Sequence, residues 1–92
     1  MKRMELCSGR HTIPDAVDGA IFSNCLNPLD VSGMEKEAER IVKTTDALIL
    51  YVTGLSVALV AVINACRTFG VRLTLMHFDR ESGTYYPQEV RM

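Results

Sequence analysis

Residues 47–66, ALILYVTGLSVALVAVINAC, form twenty consecutive positions without a charge, and how that run divides decides the fold. Its length meets the criterion of about 20 apolar residues for a membrane-spanning helix. Its interior does not, because the apolar character changes type along the way. ALILYV (47–52) is rich in residues that suit a strand, TGLS (53–56) is a polar break containing a glycine, and VALVAVINACRTF (57–69) is an apolar run of helical length that stops at Gly70. Beyond Gly70, VRLTLMHF (71–78) returns to β-branched and apolar residues. Residues 47–78 therefore read as strand, tight turn, buried helix and strand, a βαβ unit of the usual length. No membrane span is expected.

The N-terminal half repeats this grammar more loosely. RMELC (3–7) is a short strand, SGRH (8–11) a polar loop, and TIPDAVDGAIF (12–22) a turn around Pro14 followed by an edge strand. NPLDVSGMEKEAERIVKTT (27–45) carries a helix: Ser32 and Glu35 have capping-box spacing, and Met34, Ala38, Ile41 and Val42 fall on one face. Glu35, Lys36, Glu39, Arg40 and Lys43 fall on the other, which makes this charge run a solvated helix face. At the far end, DRESG (79–83) is a turn, and TYYPQEV (84–90) is a returning strand that Pro87 confines to a sheet edge. The order predicts one domain over residues 1–92, of α/β class. It is a small Rossmann-like, mostly parallel sheet with helices on its faces and a C-terminal β-hairpin.

With 92 residues, 48% of them hydrophobic, and a net charge of −1, the chain has material for one core. A domain this small buries only about 60% of its unfolded surface. Self-association is therefore expected, as a dimer or higher homo-oligomer. The near-neutral balance argues against duplex nucleic acid, which needs a basic face and counterion release. Cys7, Cys25 and Cys66 form neither a CxxC pair nor an even disulfide framework, so they read as reduced, buried small residues of a cytoplasmic protein. MKRMELCSGRH has positive residues but no apolar stretch behind them, and no export is expected.

Ligands of open α/β sheets bind beyond the carboxyl ends of the parallel strands. Here each such end leads into a polar cluster: Ser8, Gly9, Arg10 and His11; Thr53, Gly54, Leu55 and Ser56; His77, Asp79 and Arg80. The TGLS turn offers backbone N–H groups and two hydroxyls at the start of an apolar helix, where the macrodipole favours an anion. Arg10 and Ser56, with the TGLS backbone, are expected to hold phosphate; His11, His77 and Tyr85 are expected to meet a base or ribose. Each has a plainer alternative. Ser56 serves equally as an N-cap, His77 as a satisfied strand histidine, and Asp79 and Arg80 as parts of a hairpin turn. Tyr85 and Tyr86 point to opposite faces of their strand, so at most one serves the rim. No metal-ligand spacing, nucleophile elbow or paired-carboxylate motif is present, and no metal or cofactor is expected.

The order LCSGRHTIPDAV, a capped helix, ALILYVTGLSVALVAVINACRTFG and VRLTLMHFDRESGTYYPQEV resembles the plan of small single-domain CRISPR-accessory proteins of the Csx type, which have a CARF-like Rossmann domain. The anchors are Ser8, Gly9, Arg10 and His11, and Thr53, Gly54, Leu55 and Ser56. The resemblance implies a homodimer that binds a cyclic oligonucleotide messenger of antiviral immunity at those loops, as a sensor or as a sponge. A ring nuclease that degrades the messenger is the enzymatic alternative. A structural oligomerisation subunit without ligand is the third.

Overall fold

The computed structural model describes residues 1–9, 13–23 and 27–91. Arg10, His11 and Cys25 lie outside the described residues. Along the chain run β1 (Lys2–Cys7), β2 (Ala20–Phe22), α1 (Val31–Val42), β3 (Ala47–Tyr51), α2 (Ser56–Phe69), β4 (Arg72–Asp79) and β5 (Thr84–Val90). The uncharged stretch divides as its residue types demand. Ala47, Leu48, Leu50 and Tyr51 are all buried, which is the near-continuous apolar pattern of a strand inside a parallel sheet. α2 ends where Gly70 turns left-handed at φ 65°, and the N–H of Val71 reaches back 2.9 Å to the Cys66 carbonyl. Among the described residues no helix is long and apolar enough to cross a membrane.

The five strands form one sheet in the order β2-β1-β3-β4-β5. It is a mixed sheet. β1 pairs in parallel with β2 and β3, β3 pairs in parallel with β4, and β4 pairs antiparallel with β5. The expected α/β class holds, but the helices do not occupy both faces. α1 and α2 pack against each other and so share one face. The reason is handedness: the crossovers β2–α1–β3 and β3–α2–β4 step across the sheet in the same direction, and right-handed connections then put both helices on the same side.

That side holds most of the core. Met4, Leu6, Leu48, Leu50, Leu73 and Leu75 of the sheet cluster with Met34, Ala38 and Val42 of α1 and with Ala58, Ala61, Val62, Ala65 and Cys66 of α2. Strand alternation sends Ile49, Tyr51, Met76, Phe78 and Tyr85 to the opposite, helix-free face.

The capping box expected from Ser32 and Glu35 is not formed. α1 starts earlier, and its cap is Asp30, whose Oδ1 accepts the Gly33 N–H at 3.0 Å. Asp is as good a cap as Ser, and here it sits three residues before the N–H it accepts. Gly33 leaves room for it, because a β-carbon at position 33 would collide with the Asp30 carboxylate. Met34, Ala38 and Val42 are buried and Ile41 is partly buried, as the helical spacing predicts. On the solvent side Arg40 pairs with Glu37, and this ion pair holds the Glu37 carboxyl below its ordinary value.

Candidate functional site

Parallel pairing brings the carboxyl ends of β1, β3 and β4 to one edge of the sheet. There the chain leaves β1 through Ser8 and Gly9 (φ 78°) and leaves β3 through Thr53 and Gly54 (φ 88°). Both glycines hold left-handed conformations that a side chain would strain.

The residues of TGLS divide into two roles. Thr53 is buried: its Oγ1 accepts the Cys7 N–H at 3.1 Å and donates to the Cys7 carbonyl at 3.0 Å. β1 and β3 stay paired past the end of β3 because this hydroxyl replaces a backbone partner, so its proton is not free for a phosphate. Leu55 packs its side chain against the core. It is also the N-cap of α2, in extended conformation, with no side-chain hydrogen bond to the helix; Ser56 is the first helical residue and not the cap. The first turn of α2 therefore begins beside the positive-φ Gly54 with exposed Ser56 and backbone N–H groups that no side chain caps. This is the opposite of α1, whose N-terminus already holds the Asp30 carboxylate.

The register of β4 and β5 sorts the remaining residues. His77 lies opposite Tyr86 and Phe78 opposite Tyr85. His77 and Tyr86 are therefore on the face of Leu75 and Gln88, the side covered by helices; Ile63 of α2 borders the same groove as Leu75 and Gln88. Because α2 runs back along β4, its first turn lies toward the His77 end of that groove. His77 Nε2 donates to Gln88 Oε1 at 2.8 Å, with the tautomer assigned from that partner. Its ring leans on Tyr86 at 5.5 Å and 38°.

Tyr85 is on the other face. It meets Tyr51 edge-on at 5.1 Å and Phe78 at 5.2 Å, and burial, then the neighbouring Tyr51 and Glu5, push its hydroxyl above the ordinary value. The expected partnership of Tyr85 with His77 is thus replaced by Tyr86 with His77. Sequence reasoning left Tyr85 and Tyr86 as alternatives and assigned the ligand to Tyr85, and it missed Gln88. The signal was the turn itself, since its length sets which β5 residue lies opposite His77.

Asp79 anchors that turn. Its Oδ2 accepts the Ser82 hydroxyl at 2.9 Å, its Oδ1 the Glu81 N–H at 3.2 Å, and its carbonyl the Gly83 N–H at 2.9 Å. The Ser82 hydroxyl, followed by the Glu81 N–H, holds the carboxyl below its ordinary value. A lowered folded pKa contributes stability that is present above the unfolded value, about 3.9, and is lost as pH falls through the folded one. The stability advantage of the wild type over Asp79→Asn is therefore expected to hold at neutral pH and to shrink in melts below about pH 4. An advantage that grew with acid would contradict the turn role. Arg80 is exposed in the same turn.

Cys7 and Cys66 are buried free thiols, and desolvation pushes Cys66 up to about 11. Among the described residues no group of three or more His, Cys, Asp or Glu side chains is placed to hold a metal. Of the residues expected at the rim, Ser8, Gly9, Gly54, Ser56 and His77 remain available to a ligand. Thr53, Leu55 and Asp79 serve the fold first, and Tyr85 faces away. No family model, curated protein or solved structure matches the chain.

Proposed function

We propose that this chain binds a small phosphate-bearing nucleotide at the carboxyl rim of its sheet without turning it over. The Csx resemblance narrows that to a cyclic oligonucleotide or related messenger of antiviral immunity, held by a sponge or a sensor with a Rossmann-like plan. The observation that carries the reading is the N-terminus of α2, which starts without a side-chain cap, directly after the positive-φ Gly54, with Ser56 exposed. Uncapped N–H groups at the positive end of a helix dipole favour a phosphate oxygen. On the same side of the sheet, Tyr86 is 52% exposed and lies against the His77 ring, which gives a base a surface to stack on. A second copy joined across the helix-free face, where Phe78 is half exposed, is the accompanying expectation.

Calorimetric titration with cyclic dinucleotides, cyclic oligoadenylates and cyclic ADP-ribose isomers tests the reading. One of them should bind, and should be recovered intact after the complex is denatured. Tyr86→Ala should then weaken binding by about 1–3 kcal/mol, the value of one stacked base. Absence of binding across the panel overturns the proposal, and recovery of a linear product replaces it with the ring-nuclease alternative.

A further inference from the structure

We propose that the opposite, amino-terminal end of the sheet is a separate binding site, for an anionic group carried on an apolar body. A cavity of about 560 Å³ lies there, with Ala47 and Ile49 lining it on the helix-free face of the sheet, within the range of about 300–1,000 Å³ of small-ligand sites. Arg67, Arg72 and Arg91 also line it, and Glu89 is the one carboxylate among its lining side chains, so those side chains carry a surplus of two positive charges.

Two of the three arginines are not accounted for by the fold. Leu73 lies opposite Val90, the last pair of the β4–β5 register, and Arg72 and Arg91 are the next residues outward on the two chains, at the same end of the sheet. Like charges gathered at one end of a sheet repel each other. Among the described residues the single ion pair is Arg40 with Glu37, so no described carboxylate lies within 4.0 Å of any of the three guanidinium groups. Arg67 sits in the last turn of α2 and offsets the negative end of its dipole. Arg72 and Arg91 have no such duty. A bound carboxylate or phosphate, bridged by their planar forks, would turn that repulsion into two charge-assisted contacts. Ala47 and Ile49, on the same face of the sheet as Arg72, give the cavity an apolar lining that asks for more than a free inorganic anion.

The probe is 8-anilinonaphthalene-1-sulfonate, which joins an anion to an apolar ring system, and N-phenyl-1-naphthylamine is its counterpart without the sulfonate. The charged probe should give a saturable fluorescence rise with one site per chain, and the neutral one should bind about tenfold more weakly or worse. Arg72→Gln combined with Arg91→Gln should weaken the charged probe by a similar factor. Lys36→Gln with Lys43→Gln, the same charge change on the exposed face of α1, should leave it unchanged. Glu89→Gln should tighten it, and keeps the test decisive if the arginine variant folds poorly. Dodecanoate and dodecyl phosphate should displace the probe, and the stronger competitor names the head group. Absence of saturable binding, equal binding of the neutral probe, failure of both competitors, or indifference to both the arginine and the Glu89 substitutions overturns the proposal.

Discussion

Thr53→Val is expected to lower stability by about 2–4 kcal/mol, because it strips a partner from both the N–H and the carbonyl of buried Cys7, at about 1–3 kcal/mol for each unsatisfied group. Valine keeps the shape of threonine, so packing changes little and the effect isolates the hydroxyl. In a domain of this size each kcal/mol moves the thermal midpoint by about 4–8 °C. A fall of roughly 10–25 °C should follow in a melt watched by circular dichroism. Thr53→Ser retains the oxygen that accepts at 3.1 Å and donates at 3.0 Å, and should recover most of the loss. An unchanged midpoint for the valine variant would show that β1 and β3 do not depend on this clamp. The same residue looked like a phosphate ligand in the sequence. Its burial and its double bond to Cys7 make it the support beneath the loop that presents Gly54 and Ser56.

Leu50→Ala should cost a comparable amount, about 2–5 kcal/mol, in urea unfolding. Leu50 is fully buried, in a central strand, between Met4 of β1 and Leu75 of β4. The cost combines lost transfer energy with a cavity that the sheet backbone holds open. Since a chain of this length has about 5–14 kcal/mol in all, a large part of its stability depends on this one side chain. Val60→Ala, on the outer side of α2 and 53% exposed, should change stability by no more than about 0.5 kcal/mol. Similar losses at the two positions would mean that the helices do not pack on the Leu50 side of the sheet.

Much of the candidate site was legible in advance, but not its sorting. Ser8 and Gly9 follow β1 and TGLS follows β3 as expected, since those strands end where their apolar runs stop, but β4 runs on through His77 to Asp79, so that cluster lies in the strand and the turn beyond it. Which members face a ligand was not legible. Thr53 and Ser56 are both hydroxyl residues in one four-residue loop, and only the position of Cys7, 46 residues away, separates their roles. Tyr85 and Tyr86 are equal candidates until the turn places His77 opposite one of them. The Ser32 cap failed for a related reason: Asp30 competes for the same helix start, and the first turn closes on Gly33.

The sequence by itself determined the division of residues 47–66 into strand, loop and helix, the end of α2 at Gly70, and the buried face of α1. These depend on local period and on the conformational freedom of single glycines, which act over a few residues. Only the tertiary structure decided that both helices share one face, that Tyr86 accompanies His77, and that Arg72 and Arg91 line one cavity at the amino-terminal end of the sheet. Strand order and register fix those relations, and both are set by how distant segments bury their apolar faces together. No local preference contains that information.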